Sequence, residues 1–142
     1  MLFRSDNITG VCPEIMAAIA AANDGDSAAY GADAYTQRLG AAFGAYFGTE
    51  VIAHPVATGI AANALALATA MPAPAACLCH DHSHVFGTES GAPEFFAGGG
   101  KLIGIPGAHG KLWPADIARI LDAQDPNRLQ APPIGVVSIT QG

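Results

Sequence analysis

"EVIAHPVATGIAANALALATAMPAPAACLCH", Glu50–His80, changes its period twice, and those changes decide the fold. "EVIAHPV" (Glu50–Val56) reads as a strand. "TGIAANALALATAM" (Thr58–Met71) has helical spacing and an alanine-rich composition. "ACLCH" (Ala76–His80) is a short apolar run that reads as a second strand. A helix framed by two strands is the unit from which parallel sheets are built.

The same alternation continues downstream. "KLIGIP" (Lys101–Pro106) reads as a strand and "PADIARILDAQ" (Pro114–Gln124) as a helix with Ile117, Ile120 and Leu121 on one face. "DPNRLQAPP" (Asp125–Pro133) is a connection, and "PIGVVSIT" (Pro133–Thr140) is a fourth strand. Upstream, "CPEIMAAIAAAN" (Cys12–Asn23) opens with Pro13 at a helix start. "YTQRLGAAFGAYFG" (Tyr35–Gly48) sets Leu39, Phe43 and Phe47 at i, i+4 and i+8, and Gly48 closes the helix. The expected class is α/β, with a mostly parallel sheet flanked by helices. The expected division is 1–48, an arm with helices, and 49–142, the first part of a larger sheet domain.

Composition narrows the function. The 142 residues are 51% hydrophobic and 13% charged, enough apolar surface for a core. The net charge of −6 argues against a nucleic-acid partner. No Asp, Glu, Lys or Arg occurs from Val51 to Cys79, which raises a membrane span, but Pro55, Gly59, Asn63, Pro72 and Pro74 interrupt it. The alanine-rich piece is only about three turns at roughly 3.6 residues each, so a buried helix is expected rather than a span. Cys12, Cys77 and Cys79 are an odd number of thiols, which favours a reducing, cytoplasmic setting over a disulfide framework. Asp6 and Glu14 interrupt the segment where a signal peptide would need an apolar run.

Two stretches carry candidate chemistry. "CLCHDHSH" (Cys77–His84) alternates thiols and imidazoles. On a strand, Cys77 and Cys79 share one face, and His80, His82 and His84 would share the other if the strand ran on. That pattern suits a tri-histidine metal site, although the spacing is not the usual one for zinc. Against it, Asp81-His82-Ser83 reads as a strand end, and buried cysteines behave as small apolar residues. The second stretch is Ala57–Leu67, where Thr58 is a suitable N-cap and Gly59 allows close approach. The N–H groups of Gly59, Ile60 and Ala61 would face an anion at the positive end of the helix. Neither a dinucleotide fingerprint nor a P-loop is present, and an ordinary capped helix would look the same.

Five stretches in order resemble the low-specificity L-threonine aldolases, members of the β-eliminating-lyase group of fold-type-I pyridoxal-phosphate enzymes. They are "FRSDNIT" (Phe3–Thr9), "YGAD" (Tyr30–Asp33), "VATGIAANALAL" (Val56–Leu67), His84 with "ESGAPEFF" (Glu89–Phe96), and "GKLWPADI" (Gly110–Ile117). The resemblance implies pyridoxal 5′-phosphate as cofactor, a small β-hydroxy-α-amino acid as substrate, and a homodimer or homotetramer. It implies that Thr58, Gly59 and Ile60 cradle the cofactor's phosphate. His84 is expected to stack on the pyridine ring and serve catalysis at the substrate's β-hydroxyl, Ser5 to contact the substrate carboxylate, and no residue to hold a metal. Tyr30, Gly31 and Asp33 fall near the subunit-shared site of the family without an assigned role. Glu89 reads either as a surface acid or as the partner that sets the tautomer of His84.

Two departures follow from the same resemblance. Ile60 stands where the family usually has a hydroxyl residue, at the cost of one phosphate hydrogen bond. The family's cofactor-bearing lysine, the Asp beside the pyridine nitrogen and the substrate-binding Arg would lie downstream of Gly142, and Lys101 and Lys111 do not match the catalytic position. The chain is therefore expected to be an inactive N-terminal portion of such an enzyme, with an incomplete sheet.

Overall fold

The computed structural model describes residues 8–125, 127 and 130–140. The chain divides into two compact units, Met1–His54 and Pro55–Gly142.

The first unit holds helices α1 (Pro13–Ala22) and α2 (Ala34–Phe47). Pro13 stands at the start of α1, where its missing N–H costs nothing. α2 is capped at both ends. The Asp33 carboxylate accepts from the N–H groups of Tyr35 (3.0 Å) and Thr36 (2.8 Å) and from the Thr36 hydroxyl (2.6 Å). These bonds, that of the Thr36 hydroxyl foremost, hold its carboxyl below the usual range. At the other end Gly48 takes the left-handed conformation (φ 70°) and its N–H returns to the Gly44 carbonyl. Neither α1 nor α2 buries a residue.

The second unit carries the sheet. Its elements are α3 (Gly59–Ala70), β1 (Ala76–His80), α4 (His84–Gly87), α5 (Ala92–Phe96), β2 (Lys101–Ile105), α6 (Pro114–Asp122) and β3 (Ile134–Val137). The strand order is β2–β1–β3 and both pairings are parallel. Ala76 to His80 lie opposite Lys101 to Ile105 without a break. On the other side Ala76 pairs with Ile134 and Cys77 with Val136, so Gly135 is passed over in a bulge.

All five residues of β1 are buried, as expected of a central parallel strand. The period of two sorts its side chains. Cys77 and Cys79 join Leu67, Met71, Ala75, Val85 and Ala97 in the core, with Leu102 and Val136 packed against it. Ala76, Leu78 and His80 alternate onto the opposite face.

One expected strand is absent. Residues 51–56 have no strand pairing. Pro55 removes a ladder donor. Ile52 is 82% exposed, so the segment has neither a pairing partner nor a buried face. Three of the four expected strands therefore form.

Candidate active site

Open α/β sheets bind ligands beyond the carboxyl ends of their strands. Here that edge is the His80–Ile105 end of the sheet. Asn63, in the second turn of α3, bonds to Glu89 just after α4, the helix that follows the carboxyl end of β1, which places the start of α3 near the same edge.

Thr58 starts α3 as expected. Its backbone is extended (φ −143°, ψ 155°), and its hydroxyl accepts from the Ala61 N–H at 3.1 Å. This corrects the expectation that three N–H groups are free, because the Ala61 N–H already has a partner. Among the described residues those of Gly59 and Ile60 remain available. A Cβ on Gly59 would meet nothing within 4 Å, so the backbone there faces open space. Two neutral N–H donors at the positive end of a twelve-residue helix suit a phosphate. The Ile60 side chain is 38% exposed and contributes no donor.

The three imidazoles of the cluster have three different environments. His80 is buried, and its Nε2 donates to the Gly107 carbonyl at 2.8 Å. Its Nδ1 accepts from the His82 N–H at 3.0 Å. A ring nitrogen that accepts carries no proton, so the 3.2 Å approach of Asp81 Oδ1 to Nδ1 is not an ion pair. His80 is a structural pin that ties β1 to the loop after β2. His82 points outward with its side chain 85% exposed. His84 begins α4 with its ring 60% exposed, an accessible flat surface.

Cys77 and Cys79 are poor candidates for ligands or nucleophiles. Burial, with the neighbouring Cys79 adding to it, pushes the Cys77 thiol up to about 11. Burial also raises that of Cys79. Among the described residues no three His, Cys, Asp or Glu side chains are grouped to hold a metal ion.

Glu89 is the residue whose position the sequence left open. It is 2% exposed, so it is not a surface acid. Its Oε1 lies 2.7 Å from His84 Nδ1 and accepts from Asn63 Nδ2 at 2.6 Å. Asn63 lies in α3, one turn after Gly59, so a chain of two short hydrogen bonds joins the helix carrying the candidate phosphate cradle to His84. Sequence reasoning treated Asn63 only as an interruption of an apolar run. No local signal marked it, because its partner Glu89 lies 26 residues away.

Ser5 lies outside the described residues. Tyr30 and Gly31 both adopt left-handed backbone (φ 59° and 78°), and Tyr30 is fully exposed. Lys101 opens β2 at the sheet edge opposite the His80 end, beside a cleft of about 710 Å³ lined in part by Pro74, Gln124 and Pro133. Lys111 is exposed beyond the short turn at Ala108–Gly110.

A model of the β-eliminating lyase family matches residues 3–142. The chain belongs to the β-eliminating lyase family. It is 41% identical over 140 residues to a low specificity L-threonine aldolase of a Pseudomonas species, covering 98% of this chain and 40% of that protein. A protein of the same description from Pseudomonas aeruginosa is 42% identical, with the same coverage. The chain thus spans 40% of the length of these relatives. A solved threonine aldolase structure from Leishmania major superposes with a TM-score of 0.76 at 23% identity, over 92% of this chain and 36% of the other. That likeness bears out the α/β fold with its parallel sheet, and the relatives bear out the resemblance read from the five stretches.

Proposed function

We propose that this chain forms the phosphate cradle and ring platform of a pyridoxal-phosphate-dependent aldolase. The reaction is cleavage of L-threonine or L-allo-threonine to glycine and acetaldehyde. The observation that carries the reading is the Asn63–Glu89–His84 chain, which couples the first turns of α3 to an exposed imidazole. Thr58, Gly59 and Ile60 would hold the phosphate through the free N–H groups of Gly59 and Ile60, with Thr58 shaping the turn. The cofactor supplies an electron-withdrawing ring that takes up the charge released when the substrate's Cα–Cβ bond breaks. His84 presents its ring to the cofactor and its outer nitrogen to the substrate's β-hydroxyl, where it orients that group and takes its proton. Ser5 contacts the substrate carboxylate in the same reading. Lys101 and Lys111 are not assigned the cofactor-bearing role.

The proposal includes a homodimer or homotetramer and a cytoplasmic location. The free thiols of Cys12, Cys77 and Cys79 support the reducing compartment. The test is the natural gene product: its intact mass, and its products from L-threonine. Glycine and acetaldehyde are expected. Ammonia and a keto acid would identify a different β-eliminating lyase on the same scaffold, and no turnover of a chain of 14.3 kDa would remove the aldolase reading.

A further inference from the structure

Glu89 presents a problem of buried charge. Its side chain is fully enclosed, and both hydrogen bonds it makes use the same oxygen, Oε1. Oε2 has no partner among the described residues. A buried carboxylate is costly unless donors face it. Asn63 provides one donor through Nδ2; the reverse orientation would set two acceptors 2.6 Å apart. The other contact is His84 Nδ1 at 2.7 Å, a distance at which a hydrogen must lie between the atoms. With Glu89 as the carboxylate, Oε1 has no hydrogen to give, so Nδ1 holds it.

We infer that Glu89 is a positioning residue that fixes neutral His84 as its Nδ1–H tautomer and leaves Nε2 as an unprotonated acceptor on the exposed side of the ring. This deepens the aldolase reading and rests on it for its functional meaning: an Nε2 lone pair is what a substrate hydroxyl needs in order to give up its proton. The buried charge of Glu89 then stabilises the imidazolium formed when Nε2 takes that proton. Asn63 holds the carboxylate from the helix that carries the phosphate cradle, so one oxygen sets the ring relative to α3.

His80 makes the inference sharply testable. Four residues earlier in the chain, it is held in the opposite tautomer, with Nε2–H on the Gly107 carbonyl and Nδ1 accepting from the His82 N–H. Long-range proton–nitrogen correlation spectra of the uniformly ¹⁵N-labelled chain, at mildly alkaline pH, distinguish the two forms residue by residue. The expected spectrum has His84 as Nδ1–H and His80 as Nε2–H. In Glu89→Met, His84 is expected to relax to the mixed tautomers of a free imidazole while His80 keeps its own, which also reports that the sheet is folded. His84 as Nε2–H in the unaltered protein, or an unchanged His84 in a Glu89→Met protein whose His80 is intact, overturns the inference. Where Glu89→Met loses both patterns by unfolding, the spectrum of the unaltered protein still decides. No cofactor is present in the measurement, so its outcome is separate from that of the turnover assay.

Discussion

Replacing Asn63 by alanine removes one of the two donors facing the Glu89 carboxylate. A hydrogen bond to a charged group is worth about 1.5–3 kcal/mol. The substitution also exchanges asparagine for the best helix former within α3, which returns up to about 0.7 kcal/mol. The net loss expected is about 1–2 kcal/mol. For a urea slope of about 2 kcal/mol per molar, this lowers the unfolding midpoint by roughly 0.5–1 M. Far-UV circular dichroism in urea reads it. The decisive comparison is the cycle with Glu89→Met, because the helix-propensity gain cancels in it. When the carboxylate is absent Asn63 has lost its partner, so Asn63→Ala should cost at least about 1 kcal/mol less in the Glu89→Met background. Additive effects within about 0.3 kcal/mol would refute the link between α3 and Glu89, and with it the argument that one oxygen sets both.

Three further outcomes are expected. Ile60→Thr restores a hydroxyl beside the free N–H groups of α3, and a bond to phosphate at the low end of about 1.5 kcal/mol means roughly tenfold tighter pyridoxal 5′-phosphate binding by fluorescence titration. The Cys77 thiol, raised to about 11 from its ordinary 9.0, stays protonated in the native state over a range where the unfolded chain ionises. Its stabilisation is therefore complete below pH 9 and lost as pH rises to about 11, up to roughly 3 kcal/mol at about 1.4 kcal/mol per unit; Cys77→Ala should flatten that slope in alkaline urea titrations. Gly107→Ala drives a Cβ against the Lys111 carbonyl oxygen and crowds the His80 ring, for a loss of about 1–3 kcal/mol in the same urea assay.

What was legible in the sequence is what local periodicity encodes. α3, β1, β2, α6 and β3 each carry their own pattern, and Thr58 and Gly48 announce the ends they cap. The segment at Glu50–Val56 failed for a reason no local pattern holds. An extended backbone becomes a strand only against a partner, and among the described residues 50–56 pair with none. The site divides the same way. Thr58, Gly59 and His84 stand out by residue type and spacing. Asn63 and Glu89 are 26 residues apart and meet only because α3 packs against α5, bringing the turn after α4 under the helix.

The alternating histidines show why spacing alone misassigns chemistry. His80, His82 and His84 sit at identical intervals, and a strand through all three would have placed them together as a metal site. β1 ends at His80, and the turn at Asp81–Ser83 sends the three side chains to different surroundings. His80 has both nitrogens committed to backbone groups and has no lone pair left for a ligand. His82 has exposure without a buried partner. Of the three, His84 alone combines an exposed ring with a buried carboxyl group on Nδ1. The difference among the three is therefore set by what surrounds each ring: backbone groups for His80, solvent for His82 and the buried Glu89 carboxyl for His84.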